Sequence, residues 1–293
     1  MEATTAPTPA YVRRESLGRR LWDWVREHAI NIYAALAIAY LLIPIAVIIW
    51  FSFNNPAGKY NFTWEGFTLY HWEHVFSLPD LNSALVTSLQ LALYATLIST
   101  AIGTLMALAL VRYQFRGRAP TNFFIFLPLA SPEIVLGASL LSMFLNLGVA
   151  LGFGTILIAH IMFNVSFVVV TVRSRLIGFD RSVEEAAQDL GANSVQTFLR
   201  VTLPLIFPAV LAAGLLAFAL SIDDFVITNF NNGSTITFPL FIWGAARVAV
   251  PPQINVIAAM IFLVTVFAMI LTVWQQRRAE KLASVRPEPE PVA

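Results

Sequence analysis

Apolar residues gather in six long blocks along the chain, separated by short polar stretches. A membrane-spanning helix needs about 20 mostly apolar residues. The blocks predict spans at 32–53, 84–111, 122–147, 155–172, 205–222 and 254–274. Between the fourth and fifth lies "VEEAAQDLGANSVQTFLRVTLP", residues 183–204, with Glu184, Glu185, Gln188, Asp189, Asn193, Gln196 and Arg200. That stretch is too polar for lipid, yet it carries strong helix punctuation. Ser182 followed three residues later by Glu185 predicts a capping box. Val183, Ala186, Ala187 and Leu190 form one apolar stripe at helical spacing. Gly191 supplies a left-handed stop. Asn193 or Ser194 caps a second short helix with Val195, Phe198 and Leu199 on its apolar side, and Pro204 ends that helix or starts the fifth span. So short a helix is marginal alone in water. It either docks on a partner, where the two alanines allow close approach, or packs on its own chain.

Two other regions depart from the spanning pattern. The stretch "WEGFTLYHWEHVF" in the loop 54–83 predicts a short amphipathic helix on the outer surface. The first nine residues and the terminal "RPEPEPVA" read as disordered.

Composition agrees with the pattern. Hydrophobic residues make up 58% of the chain and charged residues 12%, about half the charged share of soluble domains. Cysteine is absent, which excludes disulfides and thiolate metal sites. Arg13, Arg14, Arg19, Arg20, Arg26 and the acidic residues among them make residues 1–30 too polar for a secretory signal. Charge then sets orientation. Lysine and arginine fall in the N-terminal tail, the loops around Arg116 and Arg181, and the C-terminal tail, leaving only Lys59 and Arg247 on the opposite side. Both termini are therefore expected in the cytoplasm. The seven tryptophans lie near span ends or in loops, as an interfacial belt would place them.

Candidate chemistry is sparse. Neither Lys59 nor Lys281 sits in a G-x4-G-K-[ST] sequence, so the chain has no P-loop of its own. His71 and His74 are three residues apart but have no further ligand set, so no metal site is expected. His160 is a lone intramembrane histidine, expected as a satisfied core residue. No hydrolytic triad stands out, so no enzymatic activity is expected. No nucleic-acid partner is expected either.

Three carboxylates remain. Glu133 falls about eleven residues into the third span, near the midplane at about 1.5 Å per residue. A charge there costs on the order of 3 kcal/mol to insert, so it either faces a wet interior or is protonated or hydrogen-bonded to a neighbouring helix. Pro128 and Pro132 bend or loosen the same helix. Asp223 and Asp224 come near the outer end of the fifth span. They either line a pathway for a cation, or cap a helix or pair with Arg247. Trp243 and Phe241 either add cation–π contacts or anchor the interface.

Glu185-Ala186-Ala187, three residues, Gly191, nine residues and then Val201-Thr202-Leu203-Pro204 resembles the EAA loop of ABC-importer permeases, E-A-A-x3-G-x9-I-x-L-P. Val201 replaces the isoleucine of that pattern. The resemblance covers roughly residues 54–275. It implies an all-α integral membrane protein with six transmembrane helices and the type I ABC importer permease fold. A cytoplasmic tail (1–30) would precede a permease domain (31–275, core about 82–275), with a coupling loop at 182–204 and a second tail at 276–293. Glu185, Ala186, Ala187, Gly191, Leu203 and Pro204 would couple the chain to an ATPase. The implied partners are a second permease in a heterodimer, two ATPase subunits carrying ATP and Mg, and an extracytoplasmic binding protein. The implied site is the bacterial cytoplasmic (inner) membrane. The chain itself would hold no cofactor.

"SIDDFVITNF", "SPEIVLGASLL", "WEGFTLYHW" and "FPLFIWGAARVAVPPQINVIAAM" are similar, more narrowly, to the second permease of spermidine/putrescine importers. That likeness makes Glu133, Asp223, Asp224 and Trp243 candidates for a polycation pathway. The alternatives are an importer of another small solute, a channel or secondary transporter needing no ATPase, and a membrane scaffold.

Overall fold

The computed structural model describes residues 17–284, so the two terminal stretches read above as disordered lie outside the described residues. The described chain is helical. In order it forms α1 (Leu17–Phe51), α2 (Tyr70–Glu73), α3 (Pro79–Arg112), α4 (Arg118–Ala130), α5 (Glu133–Asn146) and α6 (Phe153–Ile177). There follow α7 (Ser182–Asp189), α8 (Ser194–Thr197), α9 (Leu203–Ile222), α10 (Val226–Asn231), α11 (Phe238–Val248) and α12 (Pro252–Ser284).

Helices α3, α6 and α9 pack against one another as the centre of the molecule. Val168, Val169 and Val172 of α6 meet Ala107 and Leu110 of α3 and Ile206, Ala213 and Ala217 of α9. Small residues set the spacing: a Cβ added at Gly103 would lie 2.6 Å from Val168 Cγ1. Lipid tails are as apolar as these side chains, so close backbone approach holds such helices together better than apolarity does. The spanning part of α1, His28–Phe51, is apolar, and the rest of the described chain buries none of it, although α1 does contact α12.

Four described helices are long and apolar enough to cross a bilayer, and α4 with α5 makes a fifth crossing when taken as one span. α12 adds the apolar stretch Pro252–Phe267 among the described side chains. The chain departs from the expected pattern in two places. The third span is not one helix: α4 and α5 meet at 113°. Pro132 lacks the N–H that a continuous helix needs, and it pushes Ser131 into extended backbone (φ −83°, ψ 136°). Glu133 is therefore the first residue of α5, exposed and beside the break, rather than midway along a straight helix.

The second departure is the loop 54–78, where the expected surface helix shrinks to the single turn of α2. The loop instead folds on the buried amide of Asn54. Its Nδ2 donates to Asn61 Oδ1 and the Thr63 carbonyl at 2.7 Å, and its Oδ1 accepts from the Glu65 N–H at 2.8 Å. Phe53 stacks between Phe67 (5.6 Å) and Trp72 (5.2 Å). Of the aromatic residues that looked like one face of a helix, Phe67 and Trp72 thus stack on Phe53 at the end of α1, while Phe67, Tyr70 and Phe76 stay largely exposed.

Candidate functional site

The loop between α6 and α9 keeps the two helices read from its punctuation, with one change at its start. Ser182 is the first helical residue and makes no side-chain cap. Asp180 takes that place, its Oδ1 accepting from the Ser182 N–H at 2.9 Å. This bond holds the Asp180 carboxyl below the usual carboxylate range. The capping box expected from Ser182 and Glu185 is absent: Asp180 satisfies the Ser182 N–H, and the Glu185 N–H bonds to the Arg181 carbonyl at 3.1 Å.

Gly191 ends α7 at φ +91°, where a side chain would be strained. Its N–H bonds to the Gln188 carbonyl at 2.8 Å, and the Ala192 N–H reaches the Ala187 carbonyl at 3.1 Å. These are the two bonds of a Schellman stop. Asn193 then caps α8: its Oδ1 accepts from the Gln196 N–H at 2.9 Å, and Gln196 Oε1 accepts from the Asn193 N–H at 3.1 Å. Pro204 does not end this helix. α8 runs through one π-helical turn, Phe198–Thr202, into α9, and the Leu203 N–H reaches back to the Phe198 carbonyl. Leu203 and Pro204 form the first turn of α9.

The apolar stripe of α7 faces away from the chain. Val183, Glu185 and Ala186 are exposed, Ala187 is half-buried, and Leu190 is 90% exposed. Val195 and Leu199 extend this patch onto the next segment. Glu184 points the other way. Its Oε1 accepts from Arg112 Nη2 at 2.9 Å and from Thr202 Oγ1 at 2.7 Å. Sequence reading missed this contact because its partners lie 72 and 18 residues away.

At the other end of α9 the aspartate pair divides. Asp224 turns inward and caps α10: Oδ2 accepts from the Thr228 N–H and hydroxyl at 2.7 Å, and Oδ1 from the Ile227 N–H at 3.3 Å. His160, buried on α6, joins the same cluster. Its Nε2 lies 3.2 Å from Asp224 Oδ2 and 2.9 Å from Thr228 Oγ1, and its Nδ1 lies 2.7 Å from Ser221 Oγ. One imidazole therefore ties α6, α9 and α10.

Asp223 turns outward and is exposed, and no ion pair joins it to another described residue. It shares a cleft of about 470 Å³ with Phe225, Phe238, Ile242 and Trp243. Phe225 and Trp243 lie 5.0 Å apart between ring centroids. Arg247 stacks on Trp243 at 4.7 Å and does not bridge to either aspartate. Glu133 lies outside this cleft, although α10 packs on α5 behind it.

The chain thus has an apolar patch at one end of a helical bundle and a carboxylate with aromatic rings at the other. Residues 99–281 match the model of the binding-protein-dependent transport system inner membrane component. The chain belongs to this family. It is a multi-pass permease subunit of the ABC importer class, and the ATPase of such systems is a separate subunit. It is 37% identical over 243 residues to the spermidine/putrescine transport system permease protein PotC of Haemophilus influenzae, covering 83% of this chain and 94% of the relative. It is 35% identical over 254 residues to the putrescine transport system permease protein PotI of Escherichia coli K12, covering 84% and 90%. A solved bacterial ABC transporter involved in import of the acidic polysaccharide alginate contains a chain with the same fold (TM-score 0.64, 17% identity, 89% of this chain and 99% of that one). This permease fold accounts for the bundle of α3, α6 and α9 and for the helical loop placed between the last two.

Proposed function

We propose that this permease forms half of the translocation pathway of a polyamine importer, with spermidine and putrescine as the substrate class. It pairs with a second, different permease. Of the two ATPase subunits, which carry ATP and Mg, one docks on the α7 patch, and an extracytoplasmic binding protein delivers the substrate. Glu185, Ala186, Ala187, Gly191, Leu203 and Pro204 belong to the coupling loop.

The observation that carries the substrate reading is Asp223. It is an exposed carboxylate with no ion-pair partner among the described residues, in a cleft with Phe225 and Trp243. Such a site offers an ammonium group both a counter-charge and ring faces. Glu133, exposed at the break between α4 and α5, is a second carboxylate open to the same cargo. Asp224 supports the junction of α9 and α10 in this reading, because its oxygens are already occupied.

The test uses the complete complex in lipid vesicles. Binding protein loaded with spermidine or putrescine should stimulate ATP hydrolysis, and binding protein loaded with an amino acid or ferric iron should not. Stimulation by another solute with none from either polyamine would overturn the substrate assignment.

Both termini face the cytoplasm in this reading, which the distribution of lysine and arginine supports. The chain has no cysteine, so single cysteines report side directly. An impermeant thiol reagent added to intact cells stripped of their outer membrane should label Lys59→Cys and spare Arg116→Cys. The reverse pattern would invert the topology.

A further inference from the structure

Among the described residues, the side-chain hydrogen bonds that leave α7 for the transmembrane helices both end on one atom, Glu184 Oε1. That oxygen joins three elements: the last residue of α3, the helix α7, and the turn at the base of α9. The pair is largely out of water, with the Arg112 and Glu184 side chains 9% and 17% exposed. A charge-assisted bond in such a place is short and weakly screened.

The surroundings hold Arg112 in position. Its guanidinium stacks on Phe179 at 5.2 Å, and its carbonyl accepts from Arg181 Nη2 at 3.4 Å. Thr202, the other donor, lies in the π-helical turn just before Pro204. A π turn holds one residue more than an α turn, and such turns recur where helices adjust during function. By contrast, the backbone on either side of α7 is made of turns: Gly178 to Arg181 before it, and left-handed Gly191 after it. Pushed on its outer face, α7 would swivel on these turns unless a side chain tied it to the spans.

We infer that the Arg112–Glu184–Thr202 clasp is the strut through which a displacement of α7 moves α3 and α9. Arg112, Glu184 and Thr202 are positioning residues for energy coupling. The inference rests on the reading of the α7 patch as the ATPase-docking surface. A clasp that only held the loop in place would govern assembly, whereas a strut governs how strongly substrate arrival is felt by the ATPase.

The experiment measures four chains in the assembled complex: wild type, Glu184→Ala, Thr202→Val, and the exchange Arg112→Glu with Glu184→Arg. Glu184→Ala should still co-purify with the ATPase. Its hydrolysis stimulated by spermidine-loaded binding protein, relative to basal, should fall about ten-fold, equivalent to about 1.4 kcal/mol of coupling. Thr202→Val keeps the shape and removes one arm, so a fall of about three-fold is expected from losing about half that energy. The exchange should recover more stimulation than Arg112→Glu or Glu184→Arg alone.

Wild-type stimulation in Glu184→Ala overturns the strut. So does a Glu184→Ala chain that reaches the membrane but no longer holds the ATPase, since that is a holding role. If Glu184→Ala does not accumulate, Thr202→Val decides by the same ratio. Ala186→Glu on the outer face separates the two readings. If it retains the ATPase, the docking surface itself is wrong; if it loses the ATPase while Glu184→Ala behaves as wild type, only the strut fails.

Discussion

Ala186→Glu should abolish association with the ATPase while leaving the permease folded. Ala186 is exposed on the outer face of α7, between exposed Val183 and Leu190, and no described residue covers it. Substitutions at such positions change stability by about 0.5 kcal/mol or less. In the proposed docking of the ATPase on α7, the same methyl would sit against that partner. Overpacking a close contact costs about 1–3 kcal/mol, and burying an unpaired carboxylate adds several more. Co-purification of the ATPase should therefore fall at least ten-fold, with it substrate-stimulated hydrolysis, at matched membrane expression. Gly191→Asp should do the same by another route. Its neighbourhood is empty, so the cost is purely that of forcing a side chain to φ +91°, about 1–2 kcal/mol. A helix as short as α7 cannot absorb that and keep its C-terminal stop. Normal association in both variants, well expressed, would remove α7 from the coupling role.

What the sequence disclosed about this loop was its local chemistry. Gly191 and Asn193 act within three to five residues of themselves, so their stop and cap could be read directly and stand as expected. Ser182 failed as a cap for an equally local reason: the Glu184 and Glu185 N–H groups it would have capped bond to the Arg181 carbonyl, and Asp180 takes the Ser182 N–H. The longer-range features were not legible. Nothing near Arg112 in the chain announces Glu184, and nothing near His160 announces Asp224, because both pairings arise only when α6, α3 and α9 come together. Pro128 and Pro132 marked the third span as weak. Only the structure distinguishes a bent helix from two helices meeting at 113°, because proline removes a bond without fixing the direction of the next segment.

The two aspartates that stand side by side in the sequence should behave as different residues. Asp223→Asn is expected to lower spermidine or putrescine uptake about five-fold at matched expression, since an exposed or half-desolvated ion pair is worth about 1 kcal/mol or somewhat more. Stability should not change, because no ion pair joins its carboxylate to another described residue. Asparagine keeps the size and one acceptor, so what is lost is the charge that draws a cation toward Trp243 and Phe225. Asp224→Asn has the opposite signature. Its Oδ2 takes two bonds from Thr228 and meets His160, so the amide must place an N–H among groups arranged for an acceptor. Leaving a buried polar group badly matched costs about 1–3 kcal/mol. The purified protein should unfold at lower temperature, and uptake should fall only in proportion to the folded chain that remains. His160→Leu should copy Asp224→Asn, not Asp223→Asn, because it breaks the same cluster from the α6 side. The measurements are uptake per folded molecule and thermal unfolding in detergent, made on the same preparations. If Asp224→Asn is as stable as wild type and loses transport, the inward aspartate is the one that meets the cargo, and the outward cleft is not the pathway.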